Sequence, residues 1–408
     1  MRLLWLTKTL PYPSIAGDLL YSRHLIEACA RQGIEIHVLC HPGPNDNVAA
    51  LDQPNVTWQI VGSDYRGRLR SLFSPLPNIA SVFDTPQRRE AIRRALAQTW
   101  DGIVFDALGS LGAFRLVRNA LKGRAHRPFL VYLSHNHETT TRRRVAEQTA
   151  GLAMKMVQRF DAWKTAQLER KSLAAVDLLT TITEDDWLQF QPDFCGKPHL
   201  LVSPGYEGPR QARRSWSRIP RTAIVVGSYQ WVAKRMNVEA LLDAATPVFP
   251  AAGIRLRIVG HMDEAYRAQL ERRFAWAEIV GPVNDVMTEL ATARMGIVPE
   301  RAGGGFKLKL LDYIFGRVVV VGLESAMGGT GLQAGRHYLA AHDMAALVRL
   351  VVDRIGDDAA LESMTDAAFT RCEMLFDWAE RGALLRAAFE AVMQSNRMGL
   401  RVPGSSEG

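Results

Sequence analysis

The stretch from Met295 to Val321 restricts the fold more than any other part of the chain. Met295 to Val298 is a short apolar run that reads as a buried strand and delivers the chain to Pro299. Glu300-Arg301-Ala302 and three glycines, Gly303, Gly304 and Gly305, follow. A helix-period segment then begins, Phe306-Lys307-Leu308-Lys309-Leu310-Leu311-Asp312, and after Phe315-Gly316 comes the β-branched strand Val318 to Val321. Strand, glycine turn, helix and strand in that order belong to an α/β sheet protein. Glycines at such a turn let an anion approach the backbone, and the first N–H groups of the helix point at it. Lys307 and Lys309 add positive charge there. Asp312, placed about two turns into the expected helix, can accept hydrogen bonds from sugar hydroxyls. The stretch reads as a site for the phosphates of a nucleotide.

The same grammar occurs elsewhere. Arg2 to Thr7 is a strand, the loop from Lys8 to Asp18 contains Gly17, a helix runs from about Leu19 to Gln32, and Glu35 to Cys40 is the next strand. This is the opening of a doubly wound sheet, with its loop at the carboxyl end of the first strand. It lacks Gly-x-Gly-x-x-Gly, and Gly17 reads equally as a turn glycine and as a ligand contact. Thr222 to Val226 starts the pattern again, with a loop through Gly227, Ser228, Lys234 and Arg235, a helix from about Val238, and the strand Arg255 to Val259. A chain of 408 residues is too long for one ordinary core and fits two domains of about 200 residues each. We expect an N-terminal domain over 1–205, a polar linker over 206–221, a C-terminal domain over 222–375 and a disordered tail over 396–408.

Composition excludes several classes. A hydrophobic fraction of 47% with 23% charged residues is that of a soluble globular protein, and no apolar run approaches the 18–20 or so residues of a membrane span. The apolar start at Met1 is interrupted by Pro11 and Pro13, so it reads as a first strand rather than a signal peptide. Cys29, Cys40, Cys195 and Cys372 are scattered, without Cys-x-x-Cys or paired histidines at metal spacing, so reduced thiols, a cytoplasmic location and no zinc site are expected. The net charge of +8 suits an anionic partner such as a nucleotide sugar, a lipid phosphate or a membrane surface. No basic face interleaved with aromatics points to nucleic acid.

Two stretches of the first half carry chemistry. Pro128 to Leu133 is a strand opening into Ser134-His135-Asn136-His137-Glu138, and polar groups just past a strand's carboxyl end are where an α/β sheet places its ligands. Asp64 to Ser81 alternates arginines with apolar residues and reads either as a loop or as a contact for an acceptor or an anionic membrane. Arg142-Arg143-Arg144 precedes a long helical stretch from Ala146 to Ala175; consecutive residues point about 100° apart, so the three arginines do not share one face.

The turn from Pro299 to Asp312 resembles the donor-binding signature of family-four-like glycosyltransferases of the GT-B fold (glycosyl transferases group 1). It departs in carrying Gly304 where many members have a glutamate, and Asp312 in place of the second glutamate. The loop from Gly227 is similar to the family's turn at the donor diphosphate, and His135-Asn136-x-Glu138 to the stretch beside the transferred sugar. The resemblance implies two Rossmann-like doubly wound domains facing a central cleft, with a closing helix over 376–395 crossing back to the first. It implies a retaining transferase moving a sugar from a nucleotide-diphosphate sugar to a polysaccharide, glycolipid or metabolite precursor, without a bound metal or other cofactor. His135, Lys309 and either Lys234 or Arg235 would be catalytic. Gly17, Gly227, Ser228, Gly303, Gly304, Gly305, Phe306, Lys307 and Asp312 would hold the donor, and Asn136, His137 and Glu138 the acceptor or sugar. The alternatives are a nucleotide-sugar epimerase of the same fold and a non-catalytic anion-binding protein.

Overall fold

The computed structural model describes residues 1–14, 16–43, 51–62, 68–124, 126–149, 151–230, 232–300 and 306–398. The chain divides into two compact units, Met1–Pro204 with the C-terminal segment from Trp378, and Gly205–Asp377.

The first unit is built on seven strands: β1 (Arg2–Thr9), β2 (Glu35–His41), β3 (Val56–Ile60), β4 (Gly102–Asp106), β5 (Phe129–Leu133), β6 (Leu178–Thr181) and β7 (His199–Leu201). Their order across the sheet is β3-β2-β1-β4-β5-β6-β7, and every pairing is parallel. β4 (GIVFD) and β5 (FLVYL) are buried at every position, as strands covered by helices on both faces must be. The reversal of strand order beside β1 is a topological switch point, and ligands of such sheets collect at the carboxyl ends there.

The second unit repeats the arrangement with six strands: β8 (Thr222–Val226), β9 (Arg255–Val259), β10 (Glu278–Gly281), β11 (Met295–Val298), β12 (Val319–Leu323) and β13 (Leu339–Ala341). They lie in the order β10-β9-β8-β11-β12-β13, again all parallel. Both orders are those of a doubly wound Rossmann-like sheet. Val238, Leu241, Leu242, Leu256, Ile258, Met295 and Leu347 form the core on one face of the second sheet. Leu310, Leu311, Tyr313, Phe315 and Cys372 form it on the other.

The structure corrects the reading of some segments. The helical stretch expected from Ala146 to Ala175 is two helices, Glu138–Gln148 and Leu152–Leu173, separated at Gly151, whose φ of +80° no helix continues through. Residues expected as an irregular linker are packed within the second unit: the Tyr206 N–H donates to Phe376 O at 2.9 Å, and Arg214 caps carbonyls of Ala291, Ala293 and Arg317. Thr183 caps the helix Glu184–Phe190, its side chain accepting from the Asp186 N–H.

The helix Trp378–Arg397 packs within the first unit against the helix Gly17–Arg31. Trp378 stacks on His24 with ring centroids 4.9 Å apart, and Phe389 stacks on Phe129 at 5.6 Å. Gly382 permits the approach, because a Cβ there would lie 2.5 Å from the carbonyl oxygen of Ala28.

Candidate functional site

In the second unit the carboxyl ends of β8, β9 and β10 are stitched together. The Gly227 N–H donates to Val259 O (3.0 Å), Gly260 to Gly281 O (2.7 Å) and Tyr229 to His261 O (2.7 Å). Gly260 is obligatory there: its φ is +134° and a Cβ would lie 1.6 Å from the Gly227 carbonyl oxygen. Tyr313, fully buried, ties this edge to β11, its hydroxyl accepting from the Val226 N–H at 2.8 Å and lying 3.4 Å from Ile297 O.

Lys309 is the first residue of the helix Lys309–Phe315, and its ammonium pairs with Glu300, just past β11, at 2.5 Å. A cation at a helix N-terminus opposes the macrodipole, so helix stability does not explain a lysine at this position. Burial pushes the Glu300 carboxyl up, but the charge and hydrogen bond of Lys309 outweigh it and hold the carboxyl below the usual range. Glu300 Oε2 is buried with no hydrogen-bond partner among the described residues. Lys234 is exposed and lies within the field of this pair: surrounding protein and then the Lys309 charge push its ammonium down, while Glu300 pulls it up. Among the described residues no acceptor or carboxylate engages Lys234. Arg235, by contrast, donates to Tyr229 O (2.7 Å), pairs with Asp263 and lies over the Tyr266 ring.

Gly303, Gly304 and Gly305 lie outside the described residues. Phe306 packs against Phe376, with ring centroids 5.2 Å apart, and Lys307 is near enough to Glu300 to lower its pKa. The helix starts later than expected, so Asp312 sits in its first turn rather than two turns in. Burial pushes its carboxyl up to about 6, against a hydrogen bond from Tyr206. Ser228 is partly buried at the end of β8.

In the first unit the organising group is Asp106 at the end of β4, fully buried. Its carboxylate accepts from His135 Nε2 (2.7 Å), Ser22 Oγ (3.1 Å) and Trp5 Nε1 (2.9 Å). Three donors fix the carboxylate, and it in turn fixes the His135 ring, which also meets Tyr21 edge-on with centroids 5.1 Å apart. Gly17 opens the neighbouring helix, and the next residue, Asp18, pairs with Lys8 at the end of β1. Burial pushes Asp18 up, but Lys8 outweighs it and the carboxyl falls below its ordinary range.

His137 and Glu138 have local tasks. The His137 side chain accepts from the Thr140 N–H and caps the helix Glu138–Gln148; burial, then Arg143, push its pKa down to about 4. Glu138 lies 3.5 Å from Arg142, and the Asn136 amide donates to Glu138 at 3.4 Å. Beneath them Glu169 accepts from the Glu138 and Thr139 N–H groups, and burial pushes its carboxyl up to about 7. Asp106, Glu300 and Tyr206 escaped the sequence reading; for Asp106 the signal was present, a carboxylate closing an apolar strand at the ligand-binding edge. A groove of about 800 Å³ also opens in this unit, with Phe73, Leu76, Phe83 and Leu116 on its walls and Arg93 and Arg115 among its cations.

Two doubly wound sheets of this order on one chain define the GT-B fold. The structure is similar to sucrose-phosphate synthase from Thermosynechococcus elongatus (TM-score 0.73, 16% identity, covering 97% of this chain and 100% of that one). It is also similar to HepE from Anabaena in complex with UDP-glucose (0.68, 12%, 96% and 100%) and to WaaG, a glycosyltransferase involved in lipopolysaccharide biosynthesis (0.62, 14%, 96% and 99%). No curated protein sequence matches the chain. Residues 220–357, most of the second unit, match the family described as Glycosyl transferases group 1. That segment is a glycosyl transferases group 1 domain, and the chain carrying it is a glycosyltransferase.

Proposed function

We propose that the chain moves a sugar from a nucleotide-diphosphate sugar to an acceptor hydroxyl with retention of configuration. The observation that carries the donor reading is the group Lys234, Lys309 and Glu300 at the carboxyl edge of the second sheet. Two ammonium groups converge there, one of them without a partner among the described residues. Lys234 and Lys309 hold the diphosphate and stabilise the charge that develops on it as it leaves. Glu300 aims Lys309, and Arg235, committed to Asp263, braces the loop. Asp312 with Tyr206 receives the ribose hydroxyls. The similarity to a protein in complex with UDP-glucose makes uridine the first base to test. Lysines take the role that a metal plays in other transferases, and the sequence has no Asp-x-Asp pair, so no cofactor enters the reading.

His135, oriented by Asp106, is the first unit's contribution to handling the sugar: its Nε2 donates to Asp106, which leaves Nδ1 for the sugar. Retention follows the resemblance of the glycine–lysine turn. The groove with apolar walls and arginines supports an amphiphilic acceptor bearing an anionic group, as a glycolipid or polysaccharide precursor does. Free cysteines throughout the described residues suit a cytoplasmic setting, and no described helix is long and apolar enough to cross a membrane.

The test is thermal stabilisation by a nucleotide panel, on the wild type and on Lys234→Ala. A ligand at 100 times its dissociation constant stabilises by about 2.7 kcal/mol. Protection of the wild type by UDP or another diphosphate, weakened in the variant, is expected. Equal protection of both proteins, or none, overturns the donor assignment. NMR of the product's anomeric configuration then decides retention.

A further inference from the structure

We propose that the outward face of the helix Leu152–Leu173, with Phe73 beside it, docks onto an anionic lipid bilayer. This goes beyond the donor and acceptor reading and does not depend on it. The helix leaves large apolar side chains in solvent: Leu152 is 79% exposed, Met156 57%, Phe160 44% and Trp163 57%. At about 100° per residue these four fall within about 80° of one another and form one stripe, while the exposed Met154 and Val157 lie off it. Phe160 and Trp163 stack with ring centroids 5.7 Å apart, giving the stripe a flat aromatic end.

The charge on this face is predominantly positive; exposed carboxylates border it at Glu147, whose carbonyl accepts from Lys155 at 3.3 Å, and at Asp193, 3.7 Å from Arg170. Lys155 and Arg159 flank the apolar stripe by the same helical count. The two carboxylates of the helix are buried and turned inward: Asp161 accepts from the Asn78 N–H at 2.7 Å, and Glu169 from the Thr139 N–H at 2.9 Å. Arg143 and Arg144 are exposed on the adjoining helix Glu138–Gln148. The segment carrying Phe73 is held against the same helix by Lys164, whose buried ammonium donates to Ser71 O (2.7 Å) and Ser74 O (3.4 Å), while Phe73 itself is 94% exposed. Aromatic and long apolar side chains rimmed by cations, with no exposed carboxylate on the helix, complement an anionic headgroup layer over hydrocarbon. The surface lies partly outside the segment that the arginine pattern between Asp64 and Ser81 singles out, and it shares Phe73 with it.

The experiment is sedimentation of the full chain with vesicles of phosphatidylcholine alone or with about a third phosphatidylglycerol, at low and physiological salt. Binding to the anionic vesicles only, weakened by salt, is expected. Arg159→Gln should lower partitioning roughly 5-fold. The double variant Phe160→Ser, Trp163→Ser should abolish it without changing the thermal midpoint or nucleotide protection. Wild-type sedimentation with neither vesicle, or undiminished binding by both variants, overturns the proposal. So does a wild type that is dimeric without lipid and made monomeric by the double variant, which would make the face an interface between copies.

Discussion

Lys309→Ala removes the ammonium that pairs with and hydrogen-bonds the Glu300 carboxylate. The Glu300 side chain is only 13% exposed, and its Oε2 has no partner among the described residues. Removing one member of a buried ion pair costs about 3–5 kcal/mol, because the other charge stays behind uncompensated. The sign of the pH dependence is specific. In the wild type the folded-state pKa of Glu300 is depressed, so its contribution to stability is present above the unfolded value of about 4.5 and lost as pH falls. In the variant burial, the largest influence, is opposed by the Glu300 backbone N–H and Lys307 without Lys309, so the folded-state pKa rises above 4.5 and the variant loses stability as pH rises through it. The gap between the two proteins is therefore widest near neutrality and closes toward about pH 4. Urea unfolding at about pH 7.5 and pH 4.5 measures both gaps. A further variant, Lys309→Met with Glu300→Leu, removes both charges and should recover most of the loss while leaving nucleotide protection abolished. Equal stability of Lys309→Ala and wild type at neutral pH, or a penalty of the same size at both pH values, would refute the reasoning.

Two further outcomes follow from the same edge of the sheet. Burial raises the Asp312 carboxyl to about 6, so the stability it contributes is present below the unfolded value near 3.8 and lost as pH climbs through 6; Asp312→Asn should flatten that decline, on the order of 2 kcal/mol, in midpoints recorded across this range. Gly260→Ala must displace the Gly227 carbonyl and adopt an unfavourable φ, so a loss of at least about 3 kcal/mol in urea unfolding is expected, together with loss of nucleotide protection.

The sheet order was legible because parallel strands buried on both faces read as apolar runs: Phe129–Leu133 and Met295–Val298 stand out without any structure. The position of a polar group after such a run, His135 after β5, followed from the same pattern. What periodicity could not show was pairing. Arg235 and Lys234 are adjacent and chemically alike, and only the distant Asp263 and Tyr266, folded beside Arg235, tell them apart. The break at Gly151 was concealed because apolar and basic residues continue at helical spacing on both sides of it. Asp106 was passed over because a lone carboxylate shows its three donors, from β1, the first helix and the loop after β5, only after the sheet is assembled.

The last helix has a consequence for the order in which the molecule is made. Trp378, Gly382 and Phe389 complete the packing on His24, Ala28 and Phe129, yet they leave the ribosome after the whole of Gly205–Asp377. The nascent first unit therefore waits, with part of its apolar surface uncovered, while the second is synthesised. The second has no such wait: its own ends meet where the Tyr206 N–H donates to Phe376 O. It is an insertion closed at its base, free to fold during translation while the unit that began first finishes last.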